Sequence, residues 1–192
     1  MQFNSVIKKR KSVRSFTKKK AYWKSILDAI DAAIQNPYAG NHNNLKFIII
    51  EDKETIKNIA KMAEQHWIVQ APTLLIICSD DLHLEDKYGE RGRVYSRQQA
   101  GAAIQTILLK LTDVGLATCW VGAYSDEVLK QTLKIPQHIQ VEAVIPVGYE
   151  NIREKQVKPD KVELENVLYW EKWDQWNRTP LFKEPRDKES LN

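Results

Sequence analysis

The sequence predicts an α+β or α/β sandwich, a sheet of short buried strands covered by amphipathic helices. Three observations carry this. Two apolar runs of strand length, Phe47-Ile48-Ile49-Ile50 and Thr73-Leu74-Leu75-Ile76-Ile77-Cys78, read as buried strands. Segments with apolar residues at helical spacing alternate with them along the chain. The 192 residues suffice for one domain with a sizeable core and are few for two.

In order, Tyr22, Ile26, Ile30, Ala33 and Ile34 mark a helix over 22–35, and Lys46 to Glu51 follows as a strand. Ile56, Ile59, Ala60 and Ala63 share one face of a helix over 54–66. Pro72 opens the second strand, a position where proline is tolerated. Ser79 to Gly92 is polar and reads as a loop. The longest helix spans 94–114, with Ile104, Ile107, Leu108, Leu111 and Val114 on one stripe. Its small residues, Ala100-Gly101-Ala102-Ala103, permit close approach of another backbone, at the centre of the fold or at a subunit contact. Gly115 is a stop signal for this helix, and Ser125 is an N-cap for a helix over 126–134. Val141, Ala143, Ile145 and Val147 alternate along a last strand, where Pro146 signals an end or a bulge. Trp170, Trp173 and Trp176 then stand three apart in a tail with little chain left to cover them, which points to packing on a partner subunit. The expectation is one domain over 1–192, with 164–192 as a Trp-rich tail.

Several classes of function are disfavoured. The net charge of +4, from 29 basic and 25 acidic side chains, admits an anionic ligand without demanding nucleic acid. Two cysteines, Cys78 and Cys119, make no disulfide framework and suit a reducing cytosol. No signal-peptide pattern opens the chain, and no run approaches the ~20 apolar residues of a membrane span. There is neither a GxGxxG nor a GxxxxGK[ST] loop. His42, His66, His83 and His138 lack zinc-ligand spacing, and no GxSxG elbow occurs. The expectation is a cytoplasmic protein with no metal, no membrane and no nucleic-acid partner.

Three segments carry chemistry. In Lys9-Arg10-Lys11-Ser12-Val13-Arg14-Ser15-Phe16, an extended backbone puts Arg10, Ser12 and Arg14 on one face and Val13 on the other. Two guanidinium forks with a hydroxyl between them suit a phosphate and nearby polar oxygens; a solvated basic N-terminus accounts for the same residues. Asn36-Pro37-Tyr38-Ala39-Gly40-Asn41-His42-Asn43-Asn44-Leu45 is rich in turn formers and in amides, which both donate and accept. Gly115-Leu116-Ala117-Thr118-Cys119-Trp120-Val121-Gly122-Ala123-Tyr124 is apolar and flanked by glycines. It reads as a short buried strand or as a segment presenting backbone N–H groups beside an aromatic wall.

In this order and spacing the segments resemble the nitroreductase family of FMN enzymes. Arg10-Lys11-Ser12-Val13-Arg14-Ser15-Phe16 is similar to its opening Arg-Arg-Ser-hydrophobic-Arg-x-Phe motif, and residues 36–45 to its Ala-Pro-Ser-Ala-Gly-Asn-x-Gln-Pro-Trp loop. Gln70-Ala71-Pro72, Gly115 to Tyr124, Leu133-Lys134-Ile135-Pro136 and Ile145-Pro146-Val147-Gly148-Tyr149 follow as further landmarks, so the resemblance covers about residues 5 to 170.

The resemblance implies an α+β three-layer sandwich, with a mixed, mainly antiparallel sheet flanked by helices, and a homodimer with two FMN sites at its interface. It assigns Arg10, Lys11, Ser12 and Arg14 to the phosphate, ribityl chain and pyrimidine edge from one subunit. Pro37, Tyr38, Ala39 and Asn41 approach from the other, with Cys119, Trp120, Val121 and Gly122, while Lys158 and Lys161 grip the phosphate. Tyr38 replaces a small serine, Asn43-Asn44-Leu45 replaces Gln-Pro-Trp, and Asp160 stands where an arginine is frequent. The implied reaction is ping-pong transfer from NAD(P)H to an electron-poor acceptor such as a nitroaromatic or quinone. The flavin carries the chemistry, Arg14 offsets its negative charge, and an N–H at Val121 or Gly122 orients N5. The rivals are a relative with other flavin chemistry, reductive dehalogenation or flavin fragmentation, and a non-catalytic flavin- or nucleic-acid-binding module. A short 79–92 loop, with little material for a lid, favours the permissive reductase.

Overall fold

The sheet is organised around the most apolar run in the chain. β2 (Thr73–Asp80) is buried from Thr73 to Ser79, so both of its faces require cover. It lies between β1 (Leu45–Ile50) and β4 (Ile139–Gly148), and β3 (Ala117–Thr118) pairs with β4, giving the order β1-β2-β4-β3. All three pairings are antiparallel. A parallel bridge from Ser12 to Thr118 sets the N-terminal segment beside β3. This computed structural model describes residues 2–153 and 162–176.

Six helices flank the sheet in this part of the chain: α1 (Phe3–Lys9), α2 (Trp23–Ala33), α3 (Lys53–Met62), α4 (Leu82–Tyr88), α5 (Glu90–Asp113) and α6 (Asp126–Leu133). Strand alternation sends side chains to two cores. Leu75 and Ile77, with Ala143, Ile145 and Val147, pack against Ile26 and Ala29 of α2 and Ile104, Ile107 and Leu111 of α5. Leu74, Ile76 and Cys78 face the other way, against Ile56 and Ile59 of α3 and Leu129 of α6. The result is a three-layer α+β sandwich, and the antiparallel pairing decides between the two classes that the sequence left open.

Most elements lie within a few residues of expectation, with three differences. Residues 79–92 are not a loop: β2 runs to Asp80, α4 occupies Leu82–Tyr88, and α5 begins at Glu90. Their polar composition reflects helices with one buried stripe, in which Leu84, Gly92 and Ser96 face inward. Pro146 neither ends nor bulges β4, which continues to Gly148. The registers Thr118↔Val147 and Val121↔Val144 place Pro146 opposite Cys119, in the gap between those two bridges, where no ladder donor is required. The register shift instead falls between Ile77 and Cys78, facing Ala143 and Val141, which leaves Glu142 as the extra residue. α1 was not anticipated, because it buries only Val6 and has no stripe to reveal it. Ser125 does occupy the N-cap of α6, without a capping side-chain bond. By contrast, Asp52 caps α3 by accepting from the Thr55 N–H at 2.8 Å.

The α4–α5 corner depends on one small residue. A Cβ at Gly92 would stand 2.1 Å from the Leu84 carbonyl oxygen and 2.6 Å from the Glu85 nitrogen, both backbone atoms. Gly92→Ala is therefore expected to force α4 off α5 and to lower stability by about 1–3 kcal/mol, the usual scale of overpacking. Urea unfolding of the variant checks this, and an unchanged midpoint would contradict the close packing.

The chain divides into two compact units, Met1–Gln156 and Val157–Asn192. In the second, the Tyr169 ring meets the Trp173 ring at 4.7 Å and the Trp176 ring at 4.5 Å. Trp173 and Trp176 remain largely exposed in the chain alone. Lys158 and Lys161 lie outside the described residues.

Candidate functional site

The segment after α1 is extended, as its alternation requires. Arg10 and Lys11 are half-buried, Ser12 and Arg14 exposed, and Val13, Ser15 and Phe16 buried. Val13 donates to the Thr118 carbonyl at 2.9 Å, so the inward face is stitched to β3. Further along, the Gln70 amide oxygen accepts from the Phe16 N–H at 3.1 Å and the Ser15 hydroxyl at 3.2 Å. Lys11 forms an ion pair with Glu150 at 2.6 Å. Gln70 was visible in the sequence only as a landmark, and Glu150 gave no signal, because both act through tertiary contact.

β3 brings the first and third segments together. Cys119 and Val121 turn inward, while Trp120 and Gly122 are exposed. Burial pushes the Cys119 thiol above its ordinary value, and Arg14, a hydrogen bond with Ser12, and Arg10 oppose that rise. The thiol thus lies in the field of the residues expected to face an anion. The N–H of Val121 is committed to the Val144 carbonyl at 3.0 Å, so it cannot orient a ligand. Gly122 is exposed, with open space where a Cβ would stand.

The loop over residues 36–45 is built against α4 and α5. A 3-10 turn spans Ala39–Asn41, with Gly40 at φ 60° and Asn41 at φ 56°. Gly40 suits this turn because its φ is positive, and a Cβ there would also displace the Tyr88 hydroxyl of α4, 2.8 Å away. The His42 ring meets the His83 ring of α4 at a tilt, with centroids 4.0 Å apart. Burial first, and then His83, hold the His42 imidazole below its ordinary value.

The departures at Tyr38 and at Asn43 to Leu45 are absorbed structurally, while Asp160 lies outside the described residues. Tyr38 packs on the α2–α5 core and donates to the Ala33 carbonyl at 3.1 Å. Asn43 accepts from the Leu45 N–H at 2.9 Å, while Asn44 and Leu45 are buried. Pro37, Tyr38 and Ala39 line one side of a cleft of about 370 Å³, with Tyr95, Gln98 and Gln99 of α5 on the other. The expected residues therefore gather in two clusters within one chain, Arg10 to Arg14 with Cys119 to Gly122, and Pro37 to Asn41 on α4 and α5. Among the described residues, no three of His, Cys, Asp and Glu group as metal ligands, and both cysteines are free. No described helix is long and apolar enough to cross a membrane.

Comparison with known proteins shows the family of the chain. The model of the Nitroreductase family matches residues 7–70 and 60–149. A protein of Methanothermobacter thermautotrophicus, named provisionally as an NADH dehydrogenase/NAD(P)H nitroreductase, is 30% identical over 173 residues, covering 86% of this chain and 87% of its own. The FMN reductase (NAD(P)H) of Bacillus subtilis is 28% identical over 164 residues, covering 76% and 66%. Among solved structures, a nitroreductase family protein from Clostridium novyi NT superposes with a TM-score of 0.72 at 27% identity, covering 91% of this chain and 96% of that one. The chain belongs to the nitroreductase family. It is an oxidoreductase of that type.

Proposed function

We propose that this oxidoreductase binds FMN between two copies of the chain and passes reducing equivalents from NAD(P)H to an electron-poor acceptor, such as a nitroaromatic or a quinone. The observation that carries the reading is the meeting of Arg10, Ser12 and Arg14 with the Cys119 thiol beside β3. The donor set fits the group: two guanidinium forks and a hydroxyl suit a phosphate, polar ribityl oxygens and a pyrimidine edge. When bound, FMN supplies hydride acceptance from NAD(P)H and electron delivery to the acceptor, in the two halves of a ping-pong cycle.

The residues around it bind and orient. Arg10 and Lys11 serve the phosphate and ribityl side, joined by Lys158 and Lys161. Arg14, beside Cys119, offers fixed positive charge where negative charge accumulates on reduction. Gly122, with no side chain, leaves its backbone N–H open to the ring system, and Trp120 provides an aromatic wall. Pro37, Tyr38, Ala39 and Asn41 complete the site from the partner.

Dimerisation is supported by apolar surface. Phe3, Ile7, Trp23 and Leu27 are exposed on α1 and α2, next to a groove of about 400 Å³ lined by Phe3, Val6, Ala32 and Leu109. The tryptophans of the C-terminal segment are proposed to pack on the partner subunit, and the cytoplasm is the proposed location.

α4 changes the balance between acceptors. A short loop would have favoured a permissive reductase, but a helix fills that place and docks on residues 40–42. Reductive dehalogenation is therefore assayed beside nitro and quinone reduction. The deciding experiment is the visible absorption spectrum of the purified protein, before and after FMN and then NADH. Flavin bands should survive desalting and bleach with NADH. Failure to retain flavin even from excess FMN would reject the reading, and steep salt-dependent DNA binding without flavin would replace it.

A further inference from the structure

A chain of hydrogen bonds joins the loop over residues 37–44 to the Asp81–Arg97 ion pair, and it passes through Gln99, Asn44 and Ser96. Gln99 lies on α5 in line with Ala103, Ile107 and Leu111, all four buried, so its amide is largely withdrawn from water and needs protein partners. Its Oε1 accepts from the Ala39 N–H at 2.7 Å. Its Nε2 donates to Asn44 Oδ1 at 2.8 Å and to the His42 carbonyl at 3.4 Å. One side chain thus ties three points of a six-residue turn that contains two positive-φ residues, Gly40 and Asn41.

The chain continues beyond the loop. Asn44 Nδ2 donates to the Asp80 carbonyl at 3.1 Å and to Ser96 Oγ at 2.6 Å. Ser96, its acceptor site filled, gives its proton to Asp81 Oδ1 at 2.5 Å. Asp81 is held by the Arg97 guanidinium. Backbone groups at either end leave each amide only one orientation. Gln99 must present oxygen to an N–H, and Asn44 must present nitrogen to a carbonyl. Every donor along the path from Ala39 therefore points toward the Asp81 carboxylate, and such aligned bonds strengthen one another.

We propose that Gln99 is a positioning residue for the cofactor. Through Asn44 and Ser96 it anchors the Pro37–Asn41 turn to the Asp81–Arg97 cluster, and it withholds the Ala39 N–H from the ligand, so that the turn is presented to flavin in one preset shape. The proposal rests on the FMN reading above. A polar residue on a core stripe is its signature, and here the geometry gives that residue a task that burial alone does not need.

The test compares Gln99→Met, which keeps the length and removes all three bonds, with Leu111→Ala, a core truncation at the far end of the same helix. For both full-length proteins, flavin fluorescence gives the FMN dissociation constant, thermal melting gives the Tm, and redox titration gives the potential of the bound flavin. Gln99→Met should raise the dissociation constant at least tenfold and move the potential. Leu111→Ala should lower the Tm comparably and leave both flavin readouts near those of the parent. Should Gln99→Met fail to fold, Ser96→Ala breaks the path two links further on and should still weaken FMN about threefold. Unchanged FMN affinity in the folded glutamine or serine variant, or flavin losses that merely track the Tm in both helix variants, would overturn the proposal. A parent protein that holds no FMN would instead reject the site reading itself, and this inference with it.

Discussion

Arg10→Ala is expected to raise the FMN dissociation constant by about 10- to 100-fold, the equivalent of one charge-assisted contact of about 1.5–3 kcal/mol. The guanidinium is half-buried at the end of α1 and lies near enough to Cys119 to act on its thiol. It stands on the same face as Ser12 and Arg14, where an anionic group meets three donors at once. Lys11 does not replace it, because its ammonium, which also pairs with Glu150, lacks a planar fork. Fluorescence titration with FMN measures the change, and thermal melting shows whether the fold is intact. A folded variant with parental affinity would remove Arg10 from the phosphate site.

The second large effect is structural. Arg97→Ala is expected to cost about 1–3 kcal/mol at neutral pH, below the full scale for breaking a buried ion pair because the guanidinium itself is 42% exposed. Arg97 bridges two carboxylates, Asp81 and Glu142, whose side chains are only 8% and 9% exposed, with its Nε 2.8 Å from Glu142 Oε1. Without the guanidinium, two carboxylates are left buried together beside Ser79.

The pH dependence follows from Glu142. Burial holds its carboxyl above the ordinary value, against the lowering effects of the Ser79 hydrogen bond and of Arg97. A carboxyl raised in the folded state stabilises below its unfolded pKa, and that contribution is lost as pH rises through the folded value. Removing Arg97 removes one of the two lowering influences, so the loss extends to higher pH. The variant should therefore regain stability between pH 7.5 and pH 5 relative to the parent. Urea unfolding at both values measures this, and an equal deficit at the two would show that the carboxylates are not its cause.

What the sequence by itself determined was the layered plan and the order of the segments. β2 and α5 are legible because burial imposes a period on apolar residues, and that period survives in the sequence whatever the neighbours are. The outward row of Arg10, Ser12 and Arg14 was legible for the same reason, since extended backbone alternates its faces. Tertiary structure alone decided the rest. α4 was hidden because a short helix that buries only Leu84 has almost no period. Pro146 was misread because its cost depends on whether a neighbouring strand needs its donor, and here the ladder is interrupted opposite it. The Val121 N–H was offered to a ligand because nothing in the sequence says that Val144 lies across from it. Gln99 was the nearest miss. Continuing the stripe of Ile107 and Leu111 upstream by fours reaches Ala103 and then Gln99, but only the fold brings Ala39, His42 and Asn44 to meet its amide. Periodic burial is a local property that the chain must encode, whereas the partner of a buried polar group is chosen by residues distant in sequence, and only folding brings them together.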